Sequence, residues 1–407
     1  MLSDLLEVFA PLSLESPSSA YVHIPFCRRR CFYCDFPVKV VGDRARGDNS
    51  RSICDYVQVI KQEIAATPNT GKPLQTVFFG GGTPSLLSAN QLTQIIESLD
   101  RQFGLASTAE ISMEIDPGTF DLEQLQGYVK AGINRVSMGI QAFTQELLEV
   151  CGRSHSVDDI WKSVEIIGQV NVPSFSLDLI SGLPHQTLAQ WQESIATAVK
   201  IAPNHISIYD LTIEPVTAFG KYYKPGVAPL PTDELTAQMY RQGQEILTAA
   251  GYEHYEISNY ARQGYQCRHN RVYWENSPYY GFGMGATSYV LGQRYTRPRK
   301  TNEYYNWVGE YVIAGGVLDC PPTPLDERLL ETLMLGLRLR EGVNLSSLSQ
   351  LFGAAKRDKI EQCLQPYQQQ GWVEFVKEES SKYARLTDPE GFLFSNVVLA
   401  ALFERLT

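Results

Sequence analysis

A short apolar segment followed by an amphipathic helix recurs about six times over residues 20–213, and this alternation constrains the fold more than any other feature. Strands that alternate with helices form a parallel sheet with right-handed crossovers. Six units are fewer than the eight of a closed barrel, so the pattern predicts an α/β fold built as a partial (β/α)6 TIM-type barrel. A flat doubly wound sheet fits the periodicity as well. In either case we expect functional residues at the carboxyl ends of the strands.

The pattern predicts four parts along the chain. A frayed N-terminus, 1–19, precedes the partial barrel, 20–250. An aromatic-rich, helix-poor extension follows at 251–320, and a Pro-rich hinge opens the last part, 321–407. That part has the pattern of three helices, a two-stranded hairpin and a closing helix. We therefore predict a small C-terminal α+β module of the winged-helix-like type.

Charge and cysteine usage limit the partners and the compartment. The net charge is −10, and an acidic chain repels nucleic-acid phosphates and anionic lipid, so we expect no nucleic-acid partner. No apolar run approaches the roughly 20 residues that span a bilayer, and the start lacks a secretory signal pattern. Only three of the eight cysteines cluster, as is typical of reduced thiols in a cytoplasmic protein.

The clustered cysteines are Cys27, Cys31 and Cys34, which form a C-x3-C-x2-C loop after the first predicted strand. Thiolates are the usual ligands of iron–sulfur clusters. Three of them leave one iron of a 4Fe–4S cluster open to a small molecule that chelates through an amine and a carboxylate. The arginines at 28–30 would offset the negative charge of thiolates and sulfides. The alternative is a structural zinc site with His23 as the fourth ligand.

Polar or glycine residues end the next strands of the pattern. The segment Gly80-Gly81-Gly82-Thr83-Pro84 ends the second strand, and glycines there let the backbone approach a ligand closely. Glu114, Gln141 and Asp178 are polar residues at or near the ends of later apolar strands. Because parallel strands end at the same edge, we expect these side chains to surround one ligand, although any one of them could be a satisfied core group.

The cysteine spacing resembles the signature of the radical-SAM superfamily. That resemblance implies a barrel of the radical-SAM type, a 4Fe–4S cluster and S-adenosylmethionine as cofactors. Further motifs resemble the oxygen-independent coproporphyrinogen III oxidase family: YVHIPFC at 21–27, GGGTP at 80–84, EIDP at 114–117, RVSMGIQ at 135–141 and DLISGLP at 178–184. The resemblance implies cofactor contacts at Tyr21, Tyr33, Gly80, Gly81, Thr83, Glu114, Gln141, Arg153 and Asp178.

Two departures and one further motif separate the chain from the oxidases of that family. Phe36 stands where the oxidases have a fourth cysteine, and only about 20 residues precede Tyr21. The sequence HNRVYW at 269–274 fits an HNxxYW motif. That motif resembles the one of the haem-chaperone branch of the family, the HemW type, whose members lack oxidase activity. It implies haem-binding residues at His269, Asn270, Tyr273 and Trp274.

The chemistry of these residues fits haem. Imidazole is a common axial ligand of haem iron, and Cys267 is an alternative soft ligand. Arg268 and Arg271 could pair with the haem propionates. The alternative is that the aromatic cluster is simply core of the extension.

The resemblance predicts a haem chaperone that binds haem, a 4Fe–4S cluster and S-adenosylmethionine. It would transfer haem to an acceptor protein, with a membrane-associated acceptor as one option, and would take electrons from a donor such as flavodoxin or ferredoxin. The alternative is oxygen-independent coproporphyrinogen III oxidase, so whether the chain is an enzyme stays open. A third hypothesis is an iron–sulfur regulator that uses its winged module on DNA.

Overall fold

The computed structural model describes residues 16–43, 45–378 and 381–407. The segment predicted to be frayed is 1–19, and its residues 1–15 lie outside these ranges. The core is a nine-stranded sheet, whose strands are β1 (Ser19–Ile24), β2 (Leu74–Gly81), β3 (Leu105–Ile115), β4 (Arg135–Gln141), β5 (Ser174–Ser181), β6 (His205–Asp210), β7 (Glu253–Glu256), β8 (Asn259–Ala261) and β9 (Tyr280–Phe282). Their spatial order is β9-β1-β2-β3-β4-β5-β6-β8-β7.

The first six strands are parallel neighbours in chain order, as the alternation predicts. Strand β9 adds in parallel to the β1 edge, and β8 adds antiparallel to β6 at the opposite edge. The predicted α/β class is therefore confirmed. Strands β7 to β9 come from the predicted extension but belong to the barrel's own sheet, and the domain boundaries at 250 and 320 stay predictions.

Helices connect and cover the strands of the barrel. They are α1 (Arg51–Ala66), α2 (Ala89–Phe103), α3 (Leu122–Ala131), α4 (Gln145–Val150), α5 (Val157–Val170), α6 (Leu188–Ile201), α7 (Ala218–Tyr222) and α8 (Asp233–Ala249). Ser88 caps the N-terminus of α2, because its hydroxyl accepts from the backbone N–H of Gln91, whose side chain accepts in return from the Ser88 N–H.

The expectation of a helix-poor extension at 251–320 is wrong in two places. The extension contains α9 (Arg268–Trp274) and α10 (Thr301–Ile313). His269 and Tyr273, four residues apart, lie on one face of α9 and contact each other. This pair of ring side chains therefore packs at helical spacing.

The C-terminal module has its own apolar core and its own sheet. Its elements are α11 (Leu325–Gly336), β10 (Val343–Asn344), α12 (Leu345–Phe352), α13 (Ala354–Gln369), β11 (Val373–Glu378), β12 (Ser381–Leu386), α14 (Glu390–Leu393) and α15 (Ser395–Leu406). It contacts the barrel through an ion pair of Arg241 Nε with Glu390 Oε1 at 2.6 Å and a hydrogen bond between His254 Nδ1 and Asp388 Oδ1 at 2.8 Å. The predicted helices and the hairpin of β11 and β12 are present, but the short strand β10 pairs with β12 as a third strand that the pattern did not predict.

Within the described ranges, no helix is both long enough and apolar enough to cross a membrane.

Candidate cofactor site

The carboxyl ends of the parallel strands and the cysteine loop enclose a cavity of about 450 Å³. Its lining includes all three clustered cysteines and most of the residues predicted to contact a cofactor: Tyr33, Gly81, Thr83, Glu114, Gln141, Arg153 and Asp178. Tyr21 and Gly80 lie one layer behind the wall. A Cβ on Gly80 would lie 3.1 Å from the Tyr21 ring and 3.2 Å from the Glu114 carboxyl carbon. The structure thus brings the predicted residues together at the predicted edge of the sheet.

The cysteine loop is held by backbone hydrogen bonds at both ends. The Val41 N–H donates to the Cys27 carbonyl at 2.9 Å, and the Phe32 N–H donates to the Cys151 carbonyl at 2.9 Å. Burial raises the pKa of the Cys27 thiol to about 12. Because bound metal holds a coordinating thiol in its deprotonated form, iron would reverse this preference and stabilise the loop.

The donor set is three thiolates, the usual ligands of an iron–sulfur cluster, whereas a structural zinc ion takes four ligands. Among residues 16–43, 45–378 and 381–407, no three His, Cys, Asp or Glu side chains lie close enough together to hold one metal ion. The ring nitrogens of His23 are engaged elsewhere: Nδ1 lies 3.0 Å from the Tyr21 hydroxyl and Nε2 lies 3.0 Å from the Pro37 carbonyl. His23 is therefore not placed as a fourth zinc ligand.

The glycine segment after β2 fits tightly against the cysteine loop. A Cβ on Gly82 would lie 2.7 Å from the Phe26 carbonyl oxygen and 3.0 Å from the Cys27 sulfur. Gly81 has φ +115°, and its N–H donates to Glu114 Oε2 at 3.0 Å. Side chains are excluded here, so the backbone of this segment can approach both the cluster ligands and a small molecule beside them.

The pKa values of two carboxyl groups in the cavity are raised towards neutral pH. Burial, together with Asp178, raises the pKa of Glu114 to about 8. Burial raises the pKa of Asp178 to about 6, against the opposing effect of hydroxyl hydrogen bonds from Ser207 and Ser137. The Ser137 hydroxyl lies 2.9 and 3.0 Å from the two oxygens of Asp178. These groups can donate or accept hydrogen bonds from the hydroxyl and amino groups of a bound ligand.

Arg153 connects the cavity wall with the cysteine loop. Its Nη1 lies 3.3 Å from the Tyr33 hydroxyl and 3.5 Å from the Cys31 sulfur. Its Nη2 donates to the Gly139 carbonyl at 2.8 Å and to Asp116 Oδ1 at 2.5 Å. Asp116 is a cavity residue that the sequence analysis did not select, although it lies in the EIDP motif.

The HNxxYW motif lies at the other end of the barrel. The α9 residue His269 is fully buried: Nδ1 is 2.8 Å from the Thr76 hydroxyl, and Nε2 is 2.9 Å from the Tyr273 hydroxyl. Its ring stacks on Phe78 at 5.3 Å. Burial lowers the pKa of His269 to about 3, so the ring is neutral. Thr76 lies near the amino end of β2, whereas the glycine segment lies at its carboxyl end.

The other predicted haem residues also lie on α9 and are not fully buried. Asn270, Tyr273 and Trp274 are partly buried, and the Arg338 guanidinium lies 5.4 Å from the Trp274 ring centroid. The expected propionate partners already have acceptors, since Arg268 donates to the Thr108 carbonyl and Arg271 pairs with Glu275 and Glu341. Cys267 is buried, and its backbone N–H donates to the Tyr255 hydroxyl.

Comparison with known proteins agrees with the cofactor end of this geometry. The chain matches the Radical SAM superfamily over residues 21–198 and the HemN C-terminal domain over residues 323–393. The solved structure of coproporphyrinogen III oxidase (HemN) from Escherichia coli has the same fold, with a TM-score of 0.79 at 23% identity over 98% of this chain and 93% of that chain. Fold and site together define a radical-SAM protein, whose cofactors are a 4Fe–4S cluster and S-adenosylmethionine.

Sequence similarity narrows the class further. Heme chaperone HemW of Synechocystis is 48% identical, over 96% of this chain and 97% of that protein. Heme chaperone HemW of Bacillus subtilis is 34% identical, over 95% of this chain and all of that protein (100%). The chain belongs to the HemW family, as its motifs predicted.

Proposed function

We propose that this protein is a haem chaperone, which binds haem in addition to its 4Fe–4S cluster and S-adenosylmethionine and transfers haem to an acceptor protein. The observation that carries the proposal is the match to HemW chaperones over nearly the whole chain. Phe36 supports it: this residue lines the cavity, where it is 56% exposed, at the position where the oxidases carry a cysteine.

We assign the cluster to Cys27, Cys31 and Cys34, and S-adenosylmethionine to the cavity beside them. When bound, the cluster and S-adenosylmethionine would together supply one-electron radical chemistry. The chain's own contribution is to bind and orient the ligand. The residues assigned to this role are Tyr21, Tyr33, Gly80, Gly81, Thr83, Glu114, Gln141, Arg153 and Asp178.

We retain the HNxxYW residues as the proposed haem site, with one structural condition. His269 can bind iron only if one ring nitrogen gives up its hydrogen bond to Thr76 or Tyr273. The ring must also become accessible, since it is fully buried against Phe78. Haem binding by this route therefore requires α9 to move away from the amino ends of β2 and β3.

The proposal includes partners and a compartment. An electron donor such as flavodoxin or ferredoxin would reduce the cluster, and a haem-acceptor protein would receive the haem. An acidic chain without a membrane-spanning helix in its described part fits a cytoplasmic location with no nucleic-acid partner.

The test separates the chaperone from the oxidase. The reconstituted protein is incubated anaerobically with coproporphyrinogen III, S-adenosylmethionine and dithionite, with an authentic oxygen-independent oxidase as positive control. We expect S-adenosylmethionine to bind while the porphyrinogen is recovered unchanged. Formation of protoporphyrinogen at a rate comparable to the control would overturn the proposal in favour of the oxidase.

A further inference from the structure

Asp116 occupies a bridging position in the cofactor cavity. It follows β3 directly, and its two carboxylate oxygens serve different loops. Oδ2 accepts from the Thr83 hydroxyl at 3.1 Å, and Oδ1 accepts from Arg153 Nη2 at 2.5 Å. One carboxylate thus joins the glycine segment after β2 to the loop that carries Arg153 after α4.

The backbone of Asp116 is fixed independently of these contacts. Its N–H donates to the Ser85 hydroxyl at 3.2 Å, and its carbonyl accepts from the Thr119 N–H at 3.2 Å and the Thr119 hydroxyl at 2.6 Å. The two hydroxyls also contact each other at 2.6 Å. The carboxylate therefore has a rigid base from which to hold its partners.

The geometry of Arg153 depends on this carboxylate. The Arg153 side chain is 8% exposed, and Asp116 is its paired anion. Its Nε has no hydrogen-bond partner among the described residues, which leaves one donor of a buried guanidinium available to a ligand. Meanwhile Nη1 faces the Cys31 sulfur at 3.5 Å. Loss of the Asp116 charge would leave a buried cation without its counter-ion, free to reorient.

We infer that Asp116 is a positioning residue for the cofactor site. It orients Arg153 and Thr83 around S-adenosylmethionine and keeps the Arg153 guanidinium beside the cluster-ligating loop. Asp116 acts through these two side chains. The inference concerns the cofactor end alone and does not depend on whether haem is bound.

The test is the Asp116→Asn variant, assayed anaerobically after cluster reconstitution. The readouts are the dissociation constant of S-adenosylmethionine from equilibrium binding and the spectral change that the ligand causes in the reduced cluster by electron paramagnetic resonance. We expect affinity to fall about tenfold with iron content retained, equivalent to about 1.4 kcal/mol. Affinity within twofold of wild type, with an unchanged spectrum, would overturn the inference.

A matched control and a second variant keep the result interpretable. Asp121→Asn changes a nearby carboxylate that pairs with Arg46 at 3.3 Å and caps α3, a role that Asn also performs, so its affinity should match wild type. The double variant Asp116→Asn/Arg153→Gln removes both buried charges and avoids an unpaired cation. If Asp116 acts mainly through Arg153, the double variant binds S-adenosylmethionine with the affinity of Arg153→Gln, within twofold. A further tenfold loss that Thr83→Val on the Arg153→Gln background does not reproduce would overturn the inference, since Thr83 is the second side chain through which Asp116 acts.

Discussion

The polar side chains at the two ends of the barrel differ in whether they are accessible to a ligand. At the carboxyl end, Glu114, Asp178 and Arg153 line a cavity, and part of their hydrogen-bonding capacity is free for a ligand. At the amino end, His269 is fully buried, and both of its ring nitrogens are paired with hydroxyl groups. The same strands therefore carry a preformed binding chamber at one end and a closed polar core at the other.

The difference arises from what each end is covered by. At the carboxyl end, glycines 80–82 pack closely against the cysteine loop, because a side chain there would collide with neighbouring groups. The cavity lies open beside them. Helix α9 fills the amino end, where the His269 N–H donates to Glu110 Oε1 at 3.0 Å. A functional motif at an open chamber can bind a ligand directly, whereas one in a closed core needs a conformational change first.

The largest effect is expected at the open end. Cys31→Ala should abolish the broad visible absorbance and reduce the iron content of the reconstituted protein, because a cluster held by three thiolates loses a ligand. Cys320→Ala is the control, since Cys320 directly precedes the Pro-rich hinge and does not line the cavity. A Cys31→Ala protein with a full complement of iron would show that the ligands are assigned wrongly.

A smaller but substantial effect is expected at the closed end. His269→Ala should lower the free energy of unfolding by about 2–4 kcal/mol, because it opens a cavity and leaves the Thr76 and Tyr273 hydroxyls unpaired. Denaturant unfolding followed by circular dichroism measures this. Tyr273→Phe removes one hydroxyl and keeps the ring, so we expect a loss of about 1 kcal/mol. Unchanged stability in His269→Ala would show that α9 is already displaced in solution.

The pH dependence of stability gives the smallest expected effect when it is counted per pH unit. The folded-state pKa of Glu114 is raised to about 8, above its unfolded value near 4.5, so the folded state binds more protons between these values. Stability therefore falls as pH rises through this window, by at most about 1.4 kcal/mol per pH unit. Glu114→Gln should flatten the decline in unfolding free energy of the protein without S-adenosylmethionine. Parallel pH profiles of the unfolding free energy for variant and wild type would contradict the raised pKa of Glu114.

Sequence reasoning located the open end well because its signals are local. The C-x3-C-x2-C spacing and the glycine segment each lie within eight residues, and strand periodicity places Glu114 and Asp178 at one edge. Asp116 was missed because Asp-Pro-Gly is also an ordinary turn sequence. Its role depends on Arg153, 37 residues away in the chain.

The closed end was harder to predict because its contacts are distant in sequence. His269 and Thr76 are separated by 193 residues, and no local pattern shows that they meet. The spacing of His269 and Tyr273 does indicate a helix face, which is the one signal that could have located α9. Burial of the predicted haem ligand could be seen only in the folded chain.

The most direct test of the account is an anaerobic optical titration of the full-length, cluster-reconstituted protein with haem. The account predicts a saturable haem absorption band that develops while the cluster absorbance is retained, because the proposed haem site and the cluster lie at opposite ends of the barrel. Haem absorbance that rises without saturation, as for free haem, would contradict the proposed haem chaperone. Loss of the cluster as haem binds would contradict the separation of the two sites.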